Sequence, residues 1–432
     1  MTRPGLSYEQ APPFGLPLRF FITAPLILLL AALLAIPWSP AWTASRWSPE
    51  ALALTHLITL GFLGQVMMGA LLQILPVVLG SPLPWPRLTA RAGHLGLTLG
   101  TLLLVAGLAW VHPTLLLSGM AILAAGWAPF LFAAAVSLAK AHPASPGTLH
   151  TVRLAWLALL ITLLAGFALA GELAGLWSTG GQAGITGLHA AWGLLGWVLL
   201  LVMGVAYQVV PMLQITPAYP AAASAWLAPT LLTGLVLLSI AVLTPLPSQP
   251  LLDLLAWLPV MAAMALFAGL TLDLLRRRRR KVRDATLSFW HLGMTSLLAL
   301  TCLPVLAAAL PAAARPPLET LAGLLFLLGF ASSVVMGMLY KIVPFLAWFH
   351  LQTQTGARAG TIPNMKEFVP EARARRQYRL HLAAVLLLLP APWLPPAYAV
   401  TGLAALAGSA WLLWRSLLGC DRLFRRYGGQ LG

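Results

Sequence analysis

Apolar residues fill this chain in long unbroken stretches, and polar residues are confined to the short joints between them. A stretch of about twenty apolar residues is long enough to cross the hydrocarbon core of a bilayer as a helix. Such stretches fall near 17–37, 51–79, 93–111, 115–139, 152–172, 186–212, 226–244, 251–275, 287–309, 318–349, 379–394 and 396–418. Inside hydrocarbon no water satisfies the backbone, so runs of this kind can exist there only as helices. The pattern predicts an all-α polytopic membrane protein of about twelve spans. The joint between the last two is crowded by Pro390, Pro392, Pro395 and Pro396. The longest polar stretch, 352–377, is expected to be a surface loop. The polar, proline-rich start of the chain precedes a run long enough to span, so no cleavable signal peptide is expected.

One pattern occurs three times. Leu60-Gly61-Phe62 is followed by Gly69 and by Gln73-Ile74-Leu75-Pro76. Leu195-Gly196-Trp197 is followed by Gly204 and by Gln208-Val209-Val210-Pro211. Leu328-Gly329-Phe330 is followed by Gly337 and by Lys341-Ile342-Val343-Pro344. The copies recur after 135 and 133 residues, a period that holds four spans. The chain therefore reads as one integral membrane domain, 1–432, made of three pseudo-symmetric four-helix units near 17–139, 152–275 and 287–418. The second helix of each unit is expected at the centre. Small residues at fixed spacing let membrane helices approach closely, which accounts for the glycines without any chemistry.

Sixty per cent of the 432 residues are hydrophobic and 8% are charged, far too apolar for a soluble domain of this size. The net charge of +16 would suggest nucleic acid, but its distribution does not. With the N-terminus inside, 24 of the 26 basic residues fall on the inner side, the run Arg276–Arg283 among them. Only Arg46 and Arg315 fall on the outer side. The positive-inside rule then places both termini in the cytoplasm of a bacterial inner membrane. The Arg276–Arg283 run is a topological anchor with some attraction for anionic lipid; no aromatic residues interleave it as nucleic-acid binding would require.

Cys302 and Cys420 form no close pair, which argues against a disulfide framework or an iron–sulfur cluster. None of the ten carboxylates falls at the centre of a predicted span, which weakens a proton-coupled transporter reading. Of the nine histidines, His94, His112, His142, His150, His350 and His381 are expected near helix ends or in loops, and His291 about a turn inside the ninth span. His56 and His189 differ. Each opens one of the repeated helices near its outer end, 5 and 7 residues before the first motif glycine. Neutral imidazole is a common ligand for haem iron and for copper, and either histidine could instead bond a neighbouring helix. Two residues turn a helix by about 200°, so the pair is expected to face different neighbours. Thr55, Thr59, Thr186 or backbone carbonyls could orient a ligating imidazole. On the inner side Gln73, Gln208 and Lys341 occupy matching positions, with Tyr207 and Tyr340 beside two of them. A polar vestibule or snorkelling to the headgroups would both account for them.

Twelve spans, three four-helix units and a histidine at the outer end of the second helix resemble the catalytic subunit of haem–copper oxidases and nitric-oxide reductases. The smaller NnrS-type membrane proteins, linked to nitric-oxide metabolism, share that architecture. The resemblance implies that helices 2, 6 and 10 line the centre. It places His56 where the family has a low-spin haem ligand, and His189 where it has one copper ligand. The departures are large. Leu318 to Phe349 contains no histidine, where the family has two haem ligands, and Trp226 to Thr244 contains none, where it has a pair. Ala190 to Leu194 holds no tyrosine. A complete oxygen-reducing centre is thus not expected, and the resemblance implies a single haem b or copper near the outer face. The partners it implies are the lipid bilayer and respiratory membrane subunits or a periplasmic electron carrier. A cofactor-free permease or assembly protein built on the same bundle is the alternative.

Overall fold

The computed structural model describes residues 7–141, 146–244, 250–280, 282, 284–356 and 362–432. Arg3, His142, Lys281, Arg283 and Arg358 lie outside them. The described residues are helical and contain no strand. Twelve long helices follow one another: α1 (Gly15–Ala35), α2 (Pro49–Val77), α3 (Pro86–Ala109), α4 (Pro113–Lys140), α5 (Pro146–Leu173), α6 (Gln182–Gln214), α7 (Ala221–Leu243), α8 (Pro250–Arg276), α9 (Ala285–Ala309), α10 (Arg315–Thr355), α11 (Glu371–Leu388) and α12 (Ala399–Arg426).

Eleven of these are long and apolar enough to cross a membrane; α11 is not, because its first half carries Arg373, Arg375, Arg376 and Arg379. The polar stretch after α10 is less loop-like than its composition predicts. α10 runs on to Thr355 and ends at Gly356, whose φ of +55° suits a helix stop. A short helix, Met365–Phe368, is fixed by a capping box between Asn364 and Glu367. α11 then starts at Glu371, eight residues before the expected apolar run.

The three motif helices are the most buried of the eleven. α2, α6 and α10 are each buried over 78% of their most apolar stretch, against at most 56% for any other. Each turns from α- to π-helix at the same place in the motif: Leu57–Gly64, Trp192–Leu199 and Leu325–Ser332. Successive π segments are offset by 135 and 133 residues, the spacing of the motif itself. The π segment of α10 touches those of both α2 and α6, so the three meet at the centre of the bundle.

The motif glycines explain how these helices sit so deep. A Cβ on Gly69 would meet Phe20 and Phe21 of α1; on Gly204, Thr151 and Val152 of α5; on Gly337, Phe289 of α9. The first glycines repeat the relation, with Gly61 against Ile27, Gly196 against Ala158 and Gly329 against Ser296. All six thus lie against α1, α5 or α9, each of which precedes its motif helix. Between lipid-embedded helices there is no hydrophobic drive, and association rests on dispersion contacts made at this range. The outer helices close around the three: α3 packs on α4, α7 on α8, α11 on α12, and α12 on α1. The two chain ends meet on one face, where Gly15 N donates to Leu431 O (2.9 Å) and Gln354 pairs with the backbone of Gln430.

Gly337→Ala is expected to destabilise more than Gly204→Ala. The added methyl would meet Phe289 Cβ at 2.7 Å in the first case and Thr151 Cβ at 3.1 Å in the second. Overpacking of the first kind costs roughly 1–3 kcal/mol. Thermal unfolding of the two purified variants in one detergent measures the order, and a reversed order would contradict this packing.

Candidate functional site

His56 and His189 stand together. Their ring centres are 6.0 Å apart and their planes 17° from parallel, although the two-residue offset predicts different neighbours. Each ring is pinned at Nδ1 by a backbone carbonyl. His56 Nδ1 lies 2.8 Å from Leu52 O on its own helix, and His189 Nδ1 lies 3.0 Å from Thr162 O on α5. A carbonyl only accepts, so both Nδ1 atoms carry the proton and both Nε2 atoms keep their lone pair. Gly166, one turn beyond Thr162, makes room for the second ring, since a Cβ there would come within 2.9 Å of His189 Cε1. The orienting groups are therefore carbonyls, one of them on another helix, and not the threonine hydroxyls at 55, 59 and 186, which each bond the carbonyl four residues back.

Both rings line a cavity of about 1210 Å³ between α2, α6 and α10. Its wall is mostly leucine, alanine and tryptophan, with Met261 and Met264 of α8. Charge enters at a single rim. Arg46 and Arg315 line the cavity together with Trp47 and Glu319. Arg46 Nε donates to Glu319 Oε2 at 2.7 Å, and its guanidinium lies 4.2 Å from the centre of the Trp47 ring. Arg315 has no hydrogen bond or ion pair among the described residues. Both basic residues assigned to the outer side thus belong to this one cavity. In the sequence they mark only the topology, and their isolation among 26 basic residues is the signal that sets them apart. No third His, Cys, Asp or Glu joins the histidine pair among the described residues.

The inner polar positions differ in burial and in partners. Gln73 is buried with neither amide atom bonded, Gln208 is half-buried, and the buried Tyr207 hydroxyl has no partner. Lys341 Nζ donates to Asp284 Oδ2 at 2.6 Å. Asp284 also caps α9 by accepting from Leu287 N at 3.0 Å, and Arg280 lies 3.7 Å away. Burial alone would raise the Asp284 pKa. The Lys341 hydrogen bond and charge, with help from the cap and Arg280, outweigh it and hold the carboxyl below its usual value.

The remaining histidines divide. His112 and His150 are exposed, His94 bonds Thr23, and His291 bonds the carbonyl of Leu287. His350 is buried against Phe14 within α10. His381 was expected near an inner helix end, but it is fully buried at the level of the π segment of α10. There its Nε2 lies 2.9 Å from Ser333 Oγ and 3.2 Å from Leu328 O. No family model matches the chain, and no curated protein matches it in sequence.

Lys341→Met should destabilise by about 3 kcal/mol near neutral pH, because it leaves a buried carboxylate without its main partner. The pH dependence should change sign. In the native protein Asp284 contributes stability above the ordinary carboxylate range, and loses it as pH falls through its lowered pKa. In the variant the same carboxyl is raised, so acidification protonates it and restores stability. Unfolding midpoints measured from pH 7 down to about pH 3 distinguish the two slopes, since the native loss falls below about pH 4.

Proposed function

We propose that this chain is an oxidase-like integral membrane protein that holds one haem near its outer face and serves respiration or nitric-oxide metabolism. The carrying observation is the pair of imidazoles, His56 and His189, each fixed at Nδ1 and standing 6.0 Å apart in one cavity. A bare metal ion generally needs three or four protein ligands, and only two are gathered here. Haem brings four ligands of its own and needs one or two imidazoles. Its two carboxylates match Arg46 and Arg315 at the rim, and its apolar macrocycle matches the wall. Copper remains the second candidate, in a two-coordinate form.

When bound, a haem supplies one-electron redox chemistry and affinity for small gases. The residues of this chain bind and orient. The Leu52 and Thr162 carbonyls fix the tautomer and the ring orientation of both ligands. The leucine-rich wall excludes water and sets a low dielectric around the site. The Arg46–Glu319 pair joins the loop before α2 to the start of α10 across the rim.

The same reading places the chain as twelve crossings in three four-helix units, with both termini and the Arg276–Arg283 run in the cytoplasm of a bacterial inner membrane. The charge asymmetry, the repeated π segments and the meeting of both chain ends on one face support it. Its physiological contacts are then respiratory membrane subunits or a periplasmic electron carrier.

Protein purified from a haem-replete host should show a Soret band. His56→Ala and His189→Ala should each shift or abolish it, and Arg46→Gln should lower haem content while leaving band position nearly unchanged. Colourless protein with a well-formed fold would defeat the haem reading, and a stoichiometric copper content would replace it with copper; protein free of both would favour a permease or assembly role. For topology, a reporter fused after Gly432 should be active only on the cytoplasmic side. Periplasmic activity would overturn the orientation.

A further inference from the structure

A small recess of about 260 Å³ lies away from the histidine pair, between the first turn of α9 and the charged half of α11. Asp284, Ser288, Arg375, Tyr378 and Arg379 line it. The carboxylates around it are already engaged. Asp284 holds Lys341 and the cap of α9, and Glu371 accepts from Arg375 Nε at 2.9 Å and from Ala285 N at 2.8 Å. Those bonds take up the N–H groups of Ala285 and Leu287, and the donors left over are side chains. The Ser288 hydroxyl, the Tyr378 hydroxyl and the Arg379 guanidinium have no hydrogen bond or ion pair among the described residues. The Tyr378 ring packs edge-on against Phe289 of α9, with centres 5.0 Å apart, which holds its hydroxyl in place. Arg280, Lys341, Arg375 and Arg379 gather here against Asp284 and Glu371, a surplus of two positive charges. Three unpaired donors and a positive surplus in one recess suit the oxygens of a phosphate group.

The surface leading away from the recess says where that phosphate comes from. The charged half of α11 stops at Arg379, and from Leu380 to Leu388 the helix is apolar apart from the buried His381. Arg375, Arg379, Leu382 and Leu386 fall at i, i+4, i+7 and i+11, which is one face of a helix. Leu386, at the far end of that face, is exposed. α9 packs beside α11, and the same spacing on it runs from Ser288 to the exposed Thr295 and Ala299. Donors thus sit where the helix passes from charged to apolar, and exposed apolar surface follows in one direction. A free phosphate would use only the recess, whereas a phospholipid would use both parts.

We propose that the recess binds the phosphodiester of one anionic phospholipid. Arg379, Tyr378 and Ser288 donate to its oxygens, and an acyl chain lies along Leu382 and Leu386. The positive surplus selects an anionic headgroup, because a choline would bring a further cation to a place that already has too many. Donors from α9 and α11 meet on one phosphate, so the lipid braces the two helices. The site is separate from the Arg276–Arg283 run, and it holds whatever fills the large cavity.

The test uses the full-length protein in phosphatidylcholine liposomes. Phosphatidylglycerol and phosphatidylcholine, each carrying a photoactivatable diazirine in one acyl chain, are added at the same trace level, and cross-links are mapped by mass spectrometry. The phosphatidylglycerol probe should label the Leu382–Leu386 stretch several-fold more than the phosphatidylcholine probe. Arg379→Gln should remove that preference. Arg425→Gln takes one charge from α12, where Arg425 pairs with Asp421, and should leave the preference intact. Equal labelling by the two probes overturns the proposal, as does a preference that both substitutions lower alike or that neither changes. Loss of the label to millimolar inorganic phosphate at constant ionic strength would assign the recess to free phosphate and overturn the lipid. Comparing the two probes on the native protein needs no substitution, so it decides the matter even if a variant fails to fold.

Discussion

Contact between a motif glycine and the helix before it is the constraint on which the rest of this structure depends. Lipid solvates leucine as well as another helix does, so burying apolar surface cannot by itself draw α2, α6 and α10 inward. What draws them is backbone approach, and six glycines lying against α1, α5 and α9 permit it. The π segments begin within the same stretches. A π turn widens the helix and changes which backbone groups are paired, a device often found at functional sites. Here it does so at the centre of the bundle, beside the cavity. In α10 the Leu328 carbonyl takes the Ser333 hydroxyl five residues on and the His381 ring from α11. Packing, helix geometry and these polar contacts are therefore one arrangement seen at three levels.

That arrangement also accounts for α11. A helix with four arginines in its first half, and with Gln377 and His381 inside, is a poor candidate for hydrocarbon on composition alone. It holds its place because its polar groups find partners on neighbouring helices: Ser409 on α12, and Ser333 and Met336 on α10. In hydrocarbon the alternative to such a partner is a stranded polar group, so the bonds specify which face of α11 turns inward. The Lys341–Asp284 pair does similar work between α10 and the start of α9. Removing one partner of any such pair costs more than the pair contributes, because the other is left buried and alone.

The helical class, the membrane as solvent, eleven of the twelve expected spans and the central place of the motif helices are all legible in the amino-acid pattern. Length, hydropathy and repetition are properties of long windows, and those survive folding. The π segments were not legible, since no residue type marks the change from an i+4 to an i+5 bond. α11 was placed late and short because a hydropathy window discounts a helix whose polar groups are paired. The extension of α10 to Thr355 was hidden for the same reason, its last turn being polar. The Arg46–Glu319 contact joins residues 273 positions apart, and only the folded chain brings them together. His381 is expected at a helix end because the apolar run starts at 379, whereas α11 begins eight residues earlier and carries the ring buried within it.

The meeting of His56 and His189 shows why the two-residue offset misled. Equivalent positions in a ring of three similar helices do not meet one another. Each helix turns one flank to the next member and the opposite flank to the one before, as in any head-to-tail interface. Two residues rotate a side chain by about 200°, which is nearly the passage from one flank to the other. A residue five before the motif glycine on α2 and one seven before it on α6 therefore face each other because of the offset. The same two positions are Ala191 on α6, Leu54 on α2, and Leu324 and Ala322 on α10, and all four line the cavity. The ring thus contains three possible pairings of flank against flank, and histidines occupy only one. Repetition built the symmetric frame, and a single departure from it brought two imidazoles together in one cavity.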